Sequence, residues 1–235
     1  MGYIYVVRHG QADSLGKNYD QLTELGHEQA RLLGEYFLQF RIEFDFIASG
    51  TLNRQIQTLK GAIDPSVNKG HCMAKPETFS DLNEFDPQLW IHIANEIRKE
   101  DPEFAKQLER YKVLQSAGRE SSREIFMKLI QRILGEWVEG IHTEPYSFED
   151  YHDKVLNILN HIPKDASSVL LVTSSTPVAV IAGHSIGLAK RDYLPLMRWI
   201  SNTSLSVYQW EGGKISPITI NSFPHIENPD QMSLL

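Results

Sequence analysis

The sequence predicts an α/β fold, a three-layer sandwich with a mainly parallel sheet and a helical insertion over the site. Short apolar segments alternate with amphipathic segments of helical period, which is the pattern of strand-helix units. The run 169–172, Val-Leu-Leu-Val, is typical of a central parallel strand covered on both faces. Between about 88 and 142 the alternation gives way to charged helices, so we interpret this segment as an insertion within a single domain of residues 1–235.

Periodicity and end signals place the individual elements. The predicted strands are Tyr3–Val7, Phe44–Ser49, an edge strand within Glu77–Leu82, Ser168–Thr173, and a closing hairpin of Leu205–Trp210 and Lys214–Ile220. The predicted helices are one that begins at Glu24, then Asn53–Ile63, Leu89–Lys99, Glu103–Leu114, Ser122–Glu139, Phe148–Ile162, and one from Pro177 to about Gly187. Thr23 and Thr176 are the expected N-caps of the first and last helices, and Asp64-Pro65 is expected to end the second.

Composition and charge exclude several classes of partner. Lys and Arg number 23 and Asp and Glu 30, a formal net charge of −7, and no basic block offers a stripe to a nucleic-acid backbone. No apolar run reaches the roughly 18 residues that span a bilayer. Residues 1–7 have neither the basic segment nor the long apolar segment of a signal peptide. The single cysteine, Cys72, excludes an internal disulfide and fits a reducing compartment. We therefore expect a cytoplasmic protein that binds neither nucleic acid nor membrane.

Polar residues follow four segments at the point where a strand gives way to a loop or helix. They are Arg8-His9, Ser49–Arg54, Glu84 and Thr173–Ser175. Parallel strands bring their carboxyl ends to one edge of the sheet, where ligands collect. Arg8 and Arg54 would grip a phosphoryl group through charge-assisted hydrogen bonds worth about 1.5 to 3 kcal/mol each. We therefore expect a phosphate site there. For Arg54 the alternative is that it is an ordinary solvated residue in the first turn of a helix.

Five ordered segments of the chain resemble the histidine phosphatase superfamily, the phosphoglycerate mutase-like proteins, over nearly the whole length. They are Arg8-His9-Gly10; Leu22, Thr23, Gly26, Gln29 and Ala30; Ser49, Leu52, Arg54 and Thr58; Leu82 and Glu84; and Asn202, Ser204 and Asn221. The resemblance implies that His9 attacks phosphorus to form a phosphohistidine and that Glu84 protonates the leaving oxygen and later activates water. It implies that Arg8 and Arg54 neutralise the phosphoryl oxygens and that neither a metal nor another cofactor is needed.

The chain departs from the family pattern at Ser174, where a second histidine is expected after the central strand. A serine hydroxyl is shorter and neutral, so the loss of the imidazolium donor would cost on the order of 3 kcal/mol, roughly a hundredfold in rate. Amides at the start of the following helix still offer donors to an anion, and Ser174 is therefore kept as a phosphate-binding residue. The run Ser-Ser-Thr-Pro from Ser174 is equally typical of simple helix capping. On the sequence alone, Ser174→His is expected to raise the phosphoryl-transfer rate by about one to three orders of magnitude.

The predicted function is phosphomonoester hydrolysis, with impaired activity as the consequence of Ser174. One alternative is a pseudoenzyme of the same family that holds a phosphorylated ligand without turnover. A less favoured alternative is a phosphosugar mutase. The expected partner in each case is a small phosphorylated molecule or phosphate, and substrate identity and oligomeric state stay open at this level.

Overall fold

The computed structural model describes residues 2–13, 20–70, 73–117, 122–211 and 213–234, and Cys72 lies outside them. The strands are β1 (Gly2–Arg8), β2 (Phe46–Ser49), β3 (Glu77–Thr78), β4 (Ser168–Thr173), β5 (Leu205–Glu211) and β6 (Lys214–Ser222). The helices are α1 (Glu24–Gln39), α2 (Asn53–Asn68), α3 (Pro87–Glu100), α4 (Pro102–Ser116), α5 (Ser122–Val138), α6 (Phe148–Leu156), α7 (Ile158–His161), α8 (Ser175–Ser185) and α9 (Tyr193–Trp199).

These elements divide into two compact units. The sheet unit comprises Met1–Glu84, Asp153–Leu188 and Pro195–Leu235, and the helical unit comprises Phe85–His152 and Ala189–Leu194. None of the helices in the described ranges combines the length and the apolar character that a membrane crossing requires.

A single sheet forms the centre of the sheet unit, with the strand order β3-β2-β4-β1-β5-β6. The first four strands in this order are parallel, and β5 and β6 join as an antiparallel hairpin. In the register of β1 and β4, Arg8 lies opposite Thr173, so the two strands end side by side. The predicted fold class, an α/β fold with a mainly parallel sheet, is confirmed.

Alternating residues of β1 separate the two faces of the sheet. Val7 is fully buried in a cluster with α1 and α2, which includes Leu33 and Phe37 of α1. Ile4 and Val6 are also fully buried and point to the opposite face, where α8 contacts β1 and β6. The unbroken burial of the strand run 169–172 follows from this arrangement, because helices cover both faces.

The second predicted helix does not end at Asp64-Pro65, because α2 continues to Asn68 with Pro65 inside it. A Cβ on Gly34 would lie 2.7 Å from Gly61 O and 2.9 Å from Pro65 Cδ, so α1 approaches this turn of α2 very closely. Packing of the two helices therefore holds the turn, although proline removes one backbone hydrogen bond.

Other predicted elements also differ from the structure. Within Glu77–Leu82 the edge strand is only two residues long, Glu77–Thr78, and a 3₁₀ turn, Ser80–Leu82, follows it. The predicted helix Phe148–Ile162 is interrupted at Asn157, and α9 has no counterpart among the predicted helices. These are short segments, for which sequence periodicity is least informative.

The helical unit contains α3, α4 and α5, which lie in the segment where the sequence predicts a change of pattern. Both α3 and α4 begin with proline, and Asp86 and Asp101 cap them by accepting hydrogen bonds from main-chain amides. Trp137 of α5 is fully buried, its indole packs on Phe148, and its Nε1 donates to Tyr146 O at 3.1 Å. The placement of this segment over the site stays a prediction.

Candidate active site

The sheet unit contains all five predicted site residues: Arg8, His9, Arg54, Glu84 and Ser174. The next residues beyond the paired ends of β1 and β4 are His9 and Ser174, and the His9 amide donates to Thr173 O at 2.8 Å. Arg54 is the second residue of α2, and its Nε lies 3.2 Å from His9 Nε2. The parallel arrangement therefore does bring these side chains to one edge of the sheet.

Hydrogen bonds on both ring nitrogens define the tautomer of His9. Arg54 Nε can only donate, so His9 Nε2, 3.2 Å away, must accept and carries the lone pair. The proton then resides on Nδ1, which donates to Gly10 O at 2.7 Å. A neutral imidazole in this tautomer presents Nε2 as a nucleophile.

Burial and positive charge keep His9 neutral. His9 is 7% exposed, and burial followed by the charges of Arg8 and Arg54 lowers its pKa well below the usual range. Burial also lowers the pKa of Arg8 to about 10, with Glu84 opposing the change and Arg54 adding to it. Two cations, an imidazole and a carboxylate thus act on one another in a small, poorly solvated volume.

Close packing of two glycine-containing segments fixes the loop after His9. A Cβ on Gly10 would lie 2.4 Å from Gly26 O, and one on Gly26 would lie 2.1 Å from Gln11 O. The Gly10 amide donates to Thr58 Oγ1 at 2.9 Å, and the Gln11 amide donates to Gln29 Oε1 at 2.8 Å. These contacts give the family-pattern residues at these positions a structural role, which is to support the loop after His9.

The guanidinium of Arg8 is 6% exposed and only partly satisfied by protein groups. Its Nη1 donates to Ile200 O at 2.5 Å and to Leu234 O at 2.7 Å, whereas its buried Nε lacks a partner among the described residues. A buried cationic donor without an acceptor is costly, so this nitrogen favours the approach of an anion.

Arg54 is paired with a carboxylate that the sequence did not point to. Asp20 Oδ1 accepts from Arg54 Nη1 at 2.9 Å, and Asp20 Oδ2 accepts from the Asn53 amide at 2.8 Å. Asp20 thereby caps α2 from outside and supplies an internal anion to Arg54. Nothing in the local sequence indicates this contact, because Asp20 lies in a polar loop.

Glu84 lies at the N-terminus of α8. Its Oε2 accepts from the Thr176 amide at 3.2 Å and from Ser175 Oγ at 3.3 Å. The expected capping of this helix by Thr176 is wrong, since α8 begins at Ser175 and Thr176 lies inside its first turn. The freed amide at that position is satisfied by Glu84 instead.

Ser174 is fully buried and occupies the N-cap position of α8, yet its side chain makes no capping hydrogen bond. Its Oγ instead accepts from Gln55 Nε2 at 2.9 Å. The reading of Ser174 as a simple helix cap is therefore wrong. Gln55 is not among the site residues predicted from the sequence. The only signal for it in the sequence is its position directly after Arg54.

The turn before β5 supports the main chain of the site. Asn202 Nδ2 donates to His9 O at 3.1 Å, and the Thr203 amide donates to Arg8 O and His9 O at 3.0 and 3.2 Å. Thr203 has a φ of 52°, a conformation that β-branched residues rarely adopt. The buried His225 contacts Thr203 Oγ1 through Nε2 at 3.1 Å.

A family model matches more than half of the chain. The model of the histidine phosphatase superfamily (branch 1) aligns with residues 4–144. A search of curated proteins gives no match to this sequence.

Several solved structures share the fold of this chain at low sequence identity. Bacillus stearothermophilus YhfR is 18% identical, with a TM-score of 0.64 over 97% of this chain and 100% of that chain. A phosphoglycerate mutase from Bacillus anthracis is 16% identical, with a TM-score of 0.61 over 95% and 94% of the two chains. Phosphoserine phosphatase from Entamoeba histolytica, in complex with 3-phosphoglyceric acid, is 17% identical, with a TM-score of 0.61 over 96% and 99%. At these identities the likeness establishes the fold.

Proposed function

The chain belongs to the histidine phosphatase superfamily, and on that premise we propose that it hydrolyses small phosphomonoesters through a phosphohistidine formed on His9. The observation that carries the proposal is the pair of hydrogen bonds at His9, which assigns the neutral tautomer and places its Nε2 3.2 Å from Arg54 Nε. An anionic phosphoryl group fits between these two groups, because it supplies both an acceptor for Arg54 and an electrophile for His9.

When substrate binds, the two arginines donate hydrogen bonds to phosphoryl oxygens. Arg54 Nε exchanges His9 Nε2 for an oxygen of the phosphoryl group, which leaves the imidazole lone pair free to attack. Arg8 offers its unpartnered Nε to a second oxygen. The two guanidinium groups then balance the charge that spreads over the equatorial oxygens in a loose transition state.

The first chemical step forms the P–N bond at His9 Nε2 and breaks the P–O bond to the leaving group. Glu84, in its protonated form, gives its proton to the leaving oxygen, so an alcohol departs and Glu84 becomes a carboxylate. The Thr176 amide at 3.2 Å and the N-terminus of α8 stabilise that carboxylate. The Nδ1 hydrogen bond to Gly10 O stabilises the imidazolium character that His9 acquires.

The second step returns the site to its starting state. The Glu84 carboxylate takes a proton from water as the water oxygen attacks phosphorus. The P–N bond breaks, the electron pair returns to Nε2, and inorganic phosphate leaves. The residues assigned to these steps supply every proton transfer without a metal or another cofactor.

Turnover of p-nitrophenyl phosphate and of a panel of natural phosphomonoesters, in the presence of a chelator, tests the proposal. His9→Ala should abolish turnover, and His27→Ala, which alters an exposed histidine on α1, should leave it unchanged. Acid-labile phosphate should be trapped on His9 in the wild-type protein. Arg8→Ala and Arg54→Ala should each weaken binding of inorganic phosphate by on the order of tenfold.

Undiminished turnover in His9→Ala, or phosphate trapped on another residue, would contradict the proposed mechanism. Unchanged phosphate affinity in both arginine variants would contradict the proposed clamp, provided that circular dichroism shows each variant to be folded.

A phosphate-binding pseudoenzyme is the second candidate, and Ser174 is the observation that favours it. A neutral serine replaces the imidazolium donor of the family pattern, which weakens transition-state stabilisation more than ground-state binding. Measurable phosphate affinity without turnover of any phosphomonoester, and without trapped phosphate, is the result that would select this candidate.

A further inference from the structure

Gln55 connects three segments at the carboxyl edge of the sheet. Its side chain is fully buried, its Oε1 accepts from the Leu52 amide at 3.2 Å, and its Nε2 donates to Leu82 O and Ser174 Oγ, both at 2.9 Å. Leu82 lies two residues before Glu84, so one amide side chain joins the start of α2, the segment that carries Glu84 and the end of β4.

The hydrogen bonds of Gln55 and Ser174 leave the Ser174 hydroxyl available as a donor. The Gln55 amide nitrogen has two hydrogens, and both are used. Ser174 Oγ is therefore an acceptor towards Gln55, and none of the described residues accepts the hydroxyl proton of Ser174. Ser174 follows Thr173 as His9 follows Arg8, so the two residues occupy neighbouring positions at the carboxyl edge of the sheet.

The turn between β2 and α2 is shaped to hold Gln55. A Cβ on Gly50 would lie 1.9 Å from Gln55 Oε1 and 2.6 Å from Asn83 Oδ1, so a larger residue at position 50 would displace these two side chains. Ser174, Gln55 and Gly50 therefore form a matched set, and the serine is not an isolated replacement in an otherwise unchanged site.

We propose that Ser174 donates its hydroxyl proton to the phosphoryl group and that Gln55 is the positioning residue that holds it in place. The proposal rests on the proposed function, since it requires a phosphoryl group at His9. An unrestrained serine distributes its hydroxyl over several rotamers, and the bond from Gln55 removes most of this freedom before the ligand arrives. A neutral but preorganised donor thus takes the place of the family's second histidine.

A double-mutant cycle on Gln55 and Ser174 tests this coupling. Gln55→Met keeps the length of the side chain and removes its hydrogen bonds, and Leu82 O retains a donor in Thr173 Oγ1 at 2.5 Å. Ser174→Ala removes one oxygen atom. Gln57→Met is the matched control, because Gln57 lies on the same helix and accepts from the Leu22 amide instead.

The readouts are the affinity for inorganic phosphate by calorimetry, kcat for p-nitrophenyl phosphate, and the midpoint of thermal unfolding. Ser174→Ala should weaken phosphate binding about fivefold to tenfold, the usual effect of one hydrogen bond, and should lower kcat by about tenfold or more. Gln55→Met should have a similar effect in the wild-type background and less than about a twofold effect in the Ser174→Ala background. Gln57→Met should leave the phosphate affinity and kcat unchanged.

Independent effects of the two substitutions would overturn the proposal, because Gln55 would then act on structure alone. Unchanged phosphate affinity and kcat in Ser174→Ala would overturn it even if Gln55→Met fails to fold. If the wild-type protein binds phosphate without turnover, the proposed hydrolytic function is wrong. The coupling between Gln55 and Ser174 is then tested by the phosphate affinities of the four proteins in the cycle. If the wild-type protein neither binds phosphate nor turns over a phosphomonoester, both the proposed function and this inference fail.

Discussion

His225 makes the stability of the protein depend on pH. The imidazole is 6% exposed, its Nε2 contacts Thr203 Oγ1 at 3.1 Å, and its buried Nδ1 has no partner among the described residues. Burial lowers the pKa of His225 from 6.5 to about 4. The unfolded chain therefore takes up this proton before the folded protein does, and the free energy of unfolding falls as the pH falls.

The size of the effect follows from the two pKa values. The pKa of His225 is 6.5 in the unfolded chain and about 4 in the folded protein. At about 1.36 kcal/mol per pKa unit, this difference corresponds to a total loss of about 3 kcal/mol in the free energy of unfolding. The loss begins near pH 6.5 and is complete below pH 4, and about 2 kcal/mol of it falls between pH 7.5 and pH 5.0. In a chain of this length this corresponds to a decrease of about 4 to 8 °C in the unfolding midpoint.

Urea unfolding at pH 7.5 and pH 5.0 measures this contribution. His225→Gln keeps a polar group near Thr203 but does not titrate, so it should lose about 2 kcal/mol less than the wild-type protein between the two pH values. His9, whose pKa is lowered in the same direction, is present in both proteins and cancels in the comparison. His27→Gln, at an exposed position, should behave as the wild-type protein does. Equal losses in the wild-type protein and in His225→Gln would refute the reasoning.

Two further predictions concern the phosphate pocket. Ser174→His alone is expected to lower the free energy of unfolding by about 1 to 3 kcal/mol without raising kcat, because the buried Gln55 amide 2.9 Å away occupies the space that an imidazole needs. Combination with Gln55→Ala makes room for the imidazole and should raise kcat by about one to two orders of magnitude above that of Ser174→His alone. Equal kcat in the single and double variants would contradict this. Asp20→Asn removes the internal anion of Arg54, so the affinity for inorganic phosphate should rise by up to about tenfold, and calorimetry that finds weaker binding would contradict competition between the two anions.

The revised expectation for Ser174→His illustrates where sequence reasoning stops. The comparison with the family pattern identifies Ser174 as a lost donor, and on that basis one substitution should restore it. The structure fills the neighbouring volume with Gln55, a residue 119 positions away in the chain. Packing density makes the two positions interdependent, and no pattern within either segment contains that information.

The sequence by itself determined the fold class, most helices and strands, and the residues proposed for the chemistry at His9, Glu84, Arg8 and Arg54. The fold class and its elements depend on local signals, namely periodicity and capping residues, and parallel strands necessarily gather their carboxyl ends. The roles proposed for His9 and Glu84 depend on the resemblance of short ordered motifs to the histidine phosphatase superfamily.

Only the tertiary structure decided which partners these residues have. The carbonyl oxygen of Ile200 binds Arg8 across 192 positions, and the carboxylate of Asp20 binds Arg54 across 34. The continuation of α2 through Pro65 likewise depends on the close approach of Gly34 on another helix. Such contacts arise from the packing of segments far apart in the chain, where the burial of a polar group demands whichever partner the fold brings near.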